Sequence, residues 1–333
     1  MPKLRVGVIY GGRSGEHEVS LMSAQSVMKA LDRDKYTIVP IEIDRQGSWQ
    51  GNSIQADPQG NPDLDVVFPV LHGPYGEDGA MQGLLELANL PYVGAGVASS
   101  AVAMDKAFMR TLFMHAGLPL LPWESFLHYE WNEAAPQIRE RLETRLGYPM
   151  FVKPANLGSS VGITKVKSFA ELGYALDLAF SYDRKVVVER GLNDAREIEC
   201  SVLGHNNPQA SVAGQVVSAH EFYDYDAKYH NEKSRLIIPA PLDAQQAELI
   251  RDYAVRAFRA VDCSGMGRVD FLLDQNGEIF LNEINTIPGF TQISMYPKLW
   301  EHSGLPYSQL LDRLIEIALE KHRERQSLRT SIS

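Results

Sequence analysis

The chain of 333 residues sets 32 Lys and Arg against 42 Asp and Glu, a formal net charge of −10, with 44% hydrophobic and 22% charged residues. That apolar content excludes a mainly disordered chain, and the length suggests two domains or three small ones. The acidic balance repels a phosphodiester backbone, which excludes bulk nucleic acid as the expected partner.

In chain order, residues 4–9 read as a short buried strand leading into the glycines at 11, 12 and 15, followed by a helix over 17–31. Strands over 36–43 and 66–71 and a helix over 79–90 continue the alternation. Strands separated by helical patterns predict βαβ units and a parallel sheet, whose ligands sit at the carboxyl ends of the strands. The loops over 11–19 and 72–79 fall there. A helix over 104–116 precedes Pro119 and Pro122, read as a linker. Strands over 150–153, 162–166 and 186–189, with a helix over 169–180, predict a compact α+β module. A third part holds strands over 198–203, 211–217, 268–274 and 279–283. There Asp243 and Gln246 form a capping box ahead of Leu249, Ile250, Tyr253, Ala257 and Val261 at helical spacing. A last helix holds Leu311, Leu314, Ile315 and Ala318, and the polar tail after Lys321 is expected to fray. Between 219 and 239 no period holds, and this irregular stretch with three tyrosines reads as a lid or binding loop.

Cys200 and Cys263 lie in apolar stretches without a CxxC partner and read as small buried hydrophobes. No run reaches 18 apolar residues, so no membrane span is expected, and residues 1–12 lack the pattern of a secretory signal. The expected location is the cytoplasm.

Four segments carry residues suited to chemistry. The loop over 153–162 lies between two strand patterns and offers Lys153, Gly158, Ser159, Ser160 and Gly162. It reads either as a phosphate cradle of backbone N–H groups or as a surface hairpin whose glycines serve the turn. It is not a Walker A motif, and Gly7, Gly11 and Gly12 do not form the dinucleotide fingerprint. Next, Asp274-Gln275-Asn276-Gly277 signals a hairpin that pairs the strand of Arg268 and Asp270 with that of Glu283 and Asn285. Alternation places Arg268 with Asp270 and Glu283 with Asn285 on shared faces. Such an oxygen-only donor set suits Mg²⁺ shared with nucleotide phosphates, against the alternative of a solvated ion pair. After it, Pro288-Gly289 turns the chain toward Ser294 and Met295, where free N–H groups can bind a carboxylate. Finally, the strand ending at Glu189, followed by Leu192 and Glu197, can bracket an adenine edge and a ribose.

Together these segments resemble the D-alanine–D-alanine ligase family of the ATP-grasp superfamily, over almost the whole chain. The resemblance rests on Gly11-Gly12-Arg13-Ser14-Gly15-Glu16-His17-Glu18-Val19-Ser20, Leu71 through Gly79, Met104-Asp105-Lys106, Val152-Lys153-Pro154 through Gly162, Tyr223-Asp224-Tyr225 with Lys228-Tyr229, and Asn282 through Thr286 with Pro288-Gly289-Phe290-Thr291. It implies an α/β fold in three parts: a Rossmann-like parallel-sheet domain over 1–104, a central α+β ATP-grasp subdomain over 105–191, and a catalytic α+β subdomain over 192–333 with a lid at 219–239. It implies ligation of two D-alanine molecules through a D-alanyl phosphate, for peptidoglycan precursors, with a D-lactate- or D-serine-joining relative as the alternative. ATP and two Mg²⁺ or Mn²⁺ would be the cofactors and a homodimer the assembly, with no nucleic-acid or membrane partner.

The same resemblance assigns residues. Lys106, Lys153, Ser160 and Lys228 would hold ATP phosphates, and Glu189, Leu192 and Glu197 would surround adenosine. Asp270, Glu283 and Asn285 would hold the metals. Glu16 and His72 would meet the first substrate, and Ser294 and Met295 the second carboxylate. Arg268 would face the oxyanion. Glu16, Ser159 and Tyr229 would form a hydrogen-bonded group near the reacting amine.

Overall fold

The computed structural model describes residues 2–217, 235–291 and 293–329. Strand β1 (Leu4–Gly11) has Val6, Val8 and Ile9 fully buried, so both faces are covered, as a central parallel strand requires. It pairs in parallel with β2 (Tyr36–Ile43) and β4 (Val66–Pro69), and the short β3 (Trp49–Gln50) adds to β2. The order β3-β2-β1-β4 reverses direction at β1 and β4, and a crevice opens beyond their carboxyl ends. Helix α1 (His17–Ala30) follows the prediction. Helix α2 (Ala80–Leu87) is shorter than predicted, because Gly79 sits at φ +95° as a left-handed cap.

The predicted helix over 104–116 is α4 (Lys106–His115), and α3 (Val97–Met104) before it stands in no predicted element. Asp105 separates them. Its backbone is extended and its carboxylate accepts the N–H groups of Ala107 and Phe108 at 3.0 and 3.1 Å, an N-cap that starts α4 one residue before Lys106 projects.

The central sheet runs β5 (Trp123–Leu127), β8 (Lys185–Arg190), β6 (Met150–Pro154), β7 (Thr164–Val166) in spatial order. Helices α5 (His128–Arg145) and α6 (Phe169–Phe180) cover it. Neither β5 nor α5 stands in the predicted elements. Pro136 and the non-helical Ala134 break the period of α5, and its buried stripe is only Trp131, Ile138 and Leu142.

The third sheet is antiparallel, ordered β11-β10-β9-β12-β13. Its strands are β9 (Arg196–Gly204), β10 (Gln209–Val217), β11 (Arg235–Ile237), β12 (Gly265–Leu273) and β13 (Ile279–Asn285). The capping box at Asp243 and Gln246 opens α7 (Ala244–Ala260), as predicted. Helix α8 (Met295–His302) has no counterpart among the predicted elements. The proposed lid at 219–239 lies outside the described residues up to 234; beyond them, β11 gives its end a regular edge strand rather than an irregular loop.

Helix α9 (Tyr307–Gln326) does not fray at Lys321. Lys321 is buried, donates to the Gly94 carbonyl at 2.8 Å and lies 4.1 Å above the Tyr92 ring; burial brings its amine down to about 8. Upstream, Leu310, Leu314 and Ile317 share one core with Val6, Val8 and Phe68 of the parallel sheet. Cys200 and Cys263 are buried, and burial pushes both thiols up to about 12. Among the described residues no helix is long and apolar enough to cross a membrane.

Leu314 is fully buried between these two segments. Leu314→Ala should therefore lower unfolding free energy by about 2–5 kcal/mol in a denaturant titration, although 300 residues of other structure remain untouched. A change under about 0.5 kcal/mol would mean that α9 is not part of that core.

Candidate active site

Two cavities meet between the sheets. The larger, of 620 Å³, lies between the central and third sheets, with Phe151, Ile163 and Leu272 as apolar walls and Lys153, Glu189 and Glu197 as charged ones. The smaller, of 130 Å³, opens on the crevice of the parallel sheet and takes Glu16, His72, Arg268, Asn285 and Ser294. Lys106, Gly158, Ser159, Glu199 and Glu283 line both. Every described residue predicted for the site borders one of these cavities: Ser160, Leu192 and Asp270 the larger, Met295 the smaller. Lys228 and Tyr229 lie outside the described residues.

The loop over 156–162 is held from three sides. The Asn156 main-chain and side-chain N–H groups both donate to Asp183 at 2.8 Å. Lys106 Nζ donates to the Leu157 carbonyl, and the Ser159 hydroxyl donates to Glu16, joining segments 143 residues apart. Between these anchors Ser159 and Ser160 take φ of +52° and +61°. Left-handed backbone at a non-glycine costs about 1–3 kcal/mol and persists where the surroundings over-determine it. This loop is a built feature, which decides against the plain surface hairpin.

Behind it stands a buried ionic group. Glu189 on β8 is 2% exposed and pairs through one oxygen with Lys153 on β6 and through the other with Arg110 on α4. Burial works against its charge, but Arg110 and Lys153 outweigh burial and hold its carboxyl below the usual range. The amine of Lys106 is brought down by burial and by the charges of Lys153 and Arg110, with Glu283 pulling the other way.

Strands β12 and β13 pair as predicted, with Asp270 facing Glu283 and Arg268 facing Asn285. The register slips one residue between Asp270 and Phe271, leaving Asn282 unmatched, and this residue also borders the larger cavity. Arg268 donates to both Asp270 oxygens, at 2.7 and 2.6 Å, and lies 3.1 Å from Glu199. Burial opposes its charge, yet Asp270 and Glu199 raise its pKa well above the ordinary value. Among the described residues no cluster of three His, Cys, Asp or Glu stands ready to enclose a metal by itself. Two carboxylates and an amide oxygen still fit a hard divalent cation that takes its remaining ligands from phosphate oxygens and water.

In the crevice, His72 Nδ1 lies 3.1 Å from the Ile287 carbonyl and 3.5 Å from Glu77, while Nε2 lies 3.3 Å from Ser23 Oγ. Ser294 precedes α8, whose first residue Met295 lines the same cavity; the Ser294 hydroxyl accepts the Thr291 N–H at 3.0 Å. A helix start of this kind favours an anionic group.

A parallel-sheet domain joined to two antiparallel sheets around a cleft, with lysines on one wall and paired carboxylates on the other, defines the ATP-grasp class. Within that class the chain belongs to the D-alanine–D-alanine ligase family. The family models for the D-ala D-ala ligase C-terminus and N-terminus match residues 112–316, and 5–62 with 50–95. The D-alanine–D-alanine ligase of Heliobacterium modesticaldum is 53% identical, covering 98% of this chain and 97% of its own. Among solved structures, the D-alanine-D-alanine ligase of Coxiella burnetii superposes with a TM-score of 0.87 at 39% identity, covering 98% and 97%. The VanG D-Ala:D-Ser ligase of Enterococcus faecalis superposes with 0.86 at 37% identity, covering 95% and 100%.

Three site residues escape the sequence reading. Glu199 follows Glu197 by two on β9, so alternation alone puts both on the cavity face. Arg110 stands one helical turn after Lys106, a spacing that flags a shared face. Glu77 carries no signal beyond its place in a glycine-rich loop. Burial raises its pKa, with His72 opposing; His72 in turn is pushed down by burial but carried above its ordinary value by Glu77. Glu77→Gln should therefore drop the His72 pKa below 6.5, since burial then acts with only weaker opposition. Imidazole NMR titration of wild type and variant checks this, and an unmoved His72 would show that Glu77 does not set its charge.

Proposed function

We infer that this chain performs the reaction of its family: two D-alanine molecules are joined to D-alanyl-D-alanine, driven by ATP, through a D-alanyl phosphate, in supply of peptidoglycan precursors. The observation that carries this is the shared wall of the two cavities. A cleft with apolar and cationic walls meets a small polar crevice at Lys106, Gly158, Ser159 and Glu283, where a phosphoryl group would pass from one to the other.

The chemistry needs positioning and charge balance rather than a protein nucleophile. Phe151, Ile163 and Leu272 offer apolar faces to a purine, with Glu189, Leu192 and Glu197 at its rim. Lys106 and Lys153, with Ser160 and Lys228, hold the phosphates. Asp270, Glu283 and Asn285 would hold two Mg²⁺ or Mn²⁺, which would supply countercharge to the phosphates. The first D-alanine sits with its ammonium at Glu16 and beside His72, and its carboxylate oxygen attacks the terminal phosphorus of ATP, releasing ADP. The second lies with its carboxylate at Ser294 and the Met295 N–H. Its amine, once deprotonated, attacks the acyl carbon. Arg268 faces the resulting oxyanion, and phosphate leaves. Glu16, Ser159 and Tyr229 form the hydrogen-bonded group beside that amine.

The three-part division at 104 and 191, a homodimer and a cytoplasmic location belong to the same reading; sedimentation of the purified protein tests the dimer.

Loss of either acid ligand should be severe. Asp270→Asn and Glu283→Gln should each lower kcat by about 100-fold or more, near 3 kcal/mol, at saturating ATP and Mg²⁺. Asp270→Asn should also cost stability, because it takes one of the two carboxylates from Arg268. Near wild-type turnover in either variant would remove that residue from the metal site.

The 37% identity to a D-Ala:D-Ser ligase keeps a second acceptor in view. With D-alanine, D-lactate and D-serine offered together, D-alanyl-D-alanine should dominate the products at pH 7–8: Glu16, Ser159 and Tyr229 favour an amine over the hydroxyl of D-lactate, and the family's own acceptor favours D-alanine over D-serine. The resemblance implies that ester-forming relatives replace this tyrosine. Tyr229→Phe should therefore raise the D-alanyl-D-lactate share. Dominance of a mixed product in the wild type would overturn the dipeptide reading.

A further inference from the structure

The least accessible cation of the site has no place in the reaction above. Arg110 is 2% exposed and borders neither cavity. Its Nη2 pairs with Glu189 and lies 3.4 Å from both the carbonyl and the side-chain oxygen of Asn282, the residue that the register slip leaves unmatched. Its Nε and Nη1 find no acceptor among the described residues. A guanidinium buried with so few partners is costly unless the remaining pair is needed.

Glu189 has two oxygens and two cations, and the cations differ. Lys153 stands on the wall of the larger cavity, within reach of a ligand there; Arg110 stands behind the carboxylate, away from it. When a nucleotide draws Lys153 toward its phosphates, Glu189, itself 2% exposed, loses one of its two partners. A carboxylate neutralised by Lys153 alone would hold that lysine back.

We propose that Arg110 is a positioning residue for nucleotide binding: it is the permanent counter-ion of Glu189, and so frees Lys153 to leave Glu189 for the phosphates. Arg110 acts through Glu189 and touches no substrate. Its contact with Asn282 ties this counter-ion to β13, the strand of Glu283, so that lysine release and the acid ligands stay in one frame. The inference rests on the nucleotide reading of the larger cavity.

The test is steady-state kinetics and nucleotide binding on five variants of the full chain. Arg110→Met keeps length and loses charge; it should raise KM for ATP by about ten-fold or more while KM for D-alanine moves less than about two-fold. Arg110→Lys, which restores a charge, should recover most of that loss. In a Glu189→Gln background there is no carboxylate to balance, so adding Arg110→Met should change KM for ATP by less than about two-fold. If the Met variant fails to fold, Arg110→Gln, which keeps hydrogen-bond donors for Glu189 but carries no charge, takes its place in both backgrounds. ADP binding by calorimetry should follow the same order. Lys153→Met separates the two readings. If it leaves nucleotide affinity unchanged, both the nucleotide reading and this inference fall. If Lys153→Met loses nucleotide but Arg110→Met raises both KM values alike, or acts equally with and without Glu189, only the role of Arg110 falls.

Discussion

A site for a polyanion must keep cations out of water before the anion arrives, and each such cation needs an acid beside it. That constraint organises this molecule. Lys106, Lys153, Arg110 and Arg268 are buried or nearly so, and Glu189, Asp270, Glu199 and Glu283 stand among them. The cations come from α4, β6 and β12, the acids from β8, β9, β12 and β13. Within β12 Arg268 pairs with Asp270, but Glu189 on β8 draws its cations from β6 and α4, and Arg110 of α4 also reaches Asn282 on β13, so the ionic group touches both walls of the cleft. The cost of leaving any one partner unpaired in such a place is several kcal/mol, which is why the arrangement is a frame as much as a binding surface.

What the sequence shows of this follows from short-range rules. Alternation on paired strands puts Arg268 with Asp270 and Glu283 with Asn285, and the Asp274-Gln275-Asn276-Gly277 turn sets which strands pair; the observed pairing agrees. The capping box of α7 is equally local. The failures are also physical. Asp105 looks like one more helical residue until its carboxylate is seen capping α4. Helix α5 hides because Pro136 and Ala134 break its period and tertiary packing supplies the rest. Arg110 and Glu77 gain meaning only from partners 79 and 5 residues away, brought near by the fold. Lys228 and Tyr229 remain assignments of the resemblance alone.

The loop between β6 and β7 shows how such a frame sustains strain. Two serines in left-handed backbone would relax in an isolated hairpin. Here Asp183 fixes one end through Asn156, Lys106 fixes the middle, and Glu16 fixes Ser159 from the parallel-sheet domain. The two cavities are thus joined by a segment of the central module that answers also to the parallel-sheet domain. A displacement of the parallel-sheet domain would be felt at once by the groups facing a phosphate.

The packing of α9 on the parallel sheet bears on synthesis of the chain. Val6, Val8 and Phe68 share their core with Leu310, Leu314 and Ile317, so an early strand is completed by a helix made much later. On a ribosome, about 300 residues separate the two, on the order of 15–60 s of elongation. During that interval one apolar face of the nascent sheet stays uncovered. The central module, whose core is drawn from residues 126–188, has no such wait and is free to form first. The order of folding therefore departs from the order of translation, and the nascent amino-terminal segment is the part of the chain most in need of a chaperone.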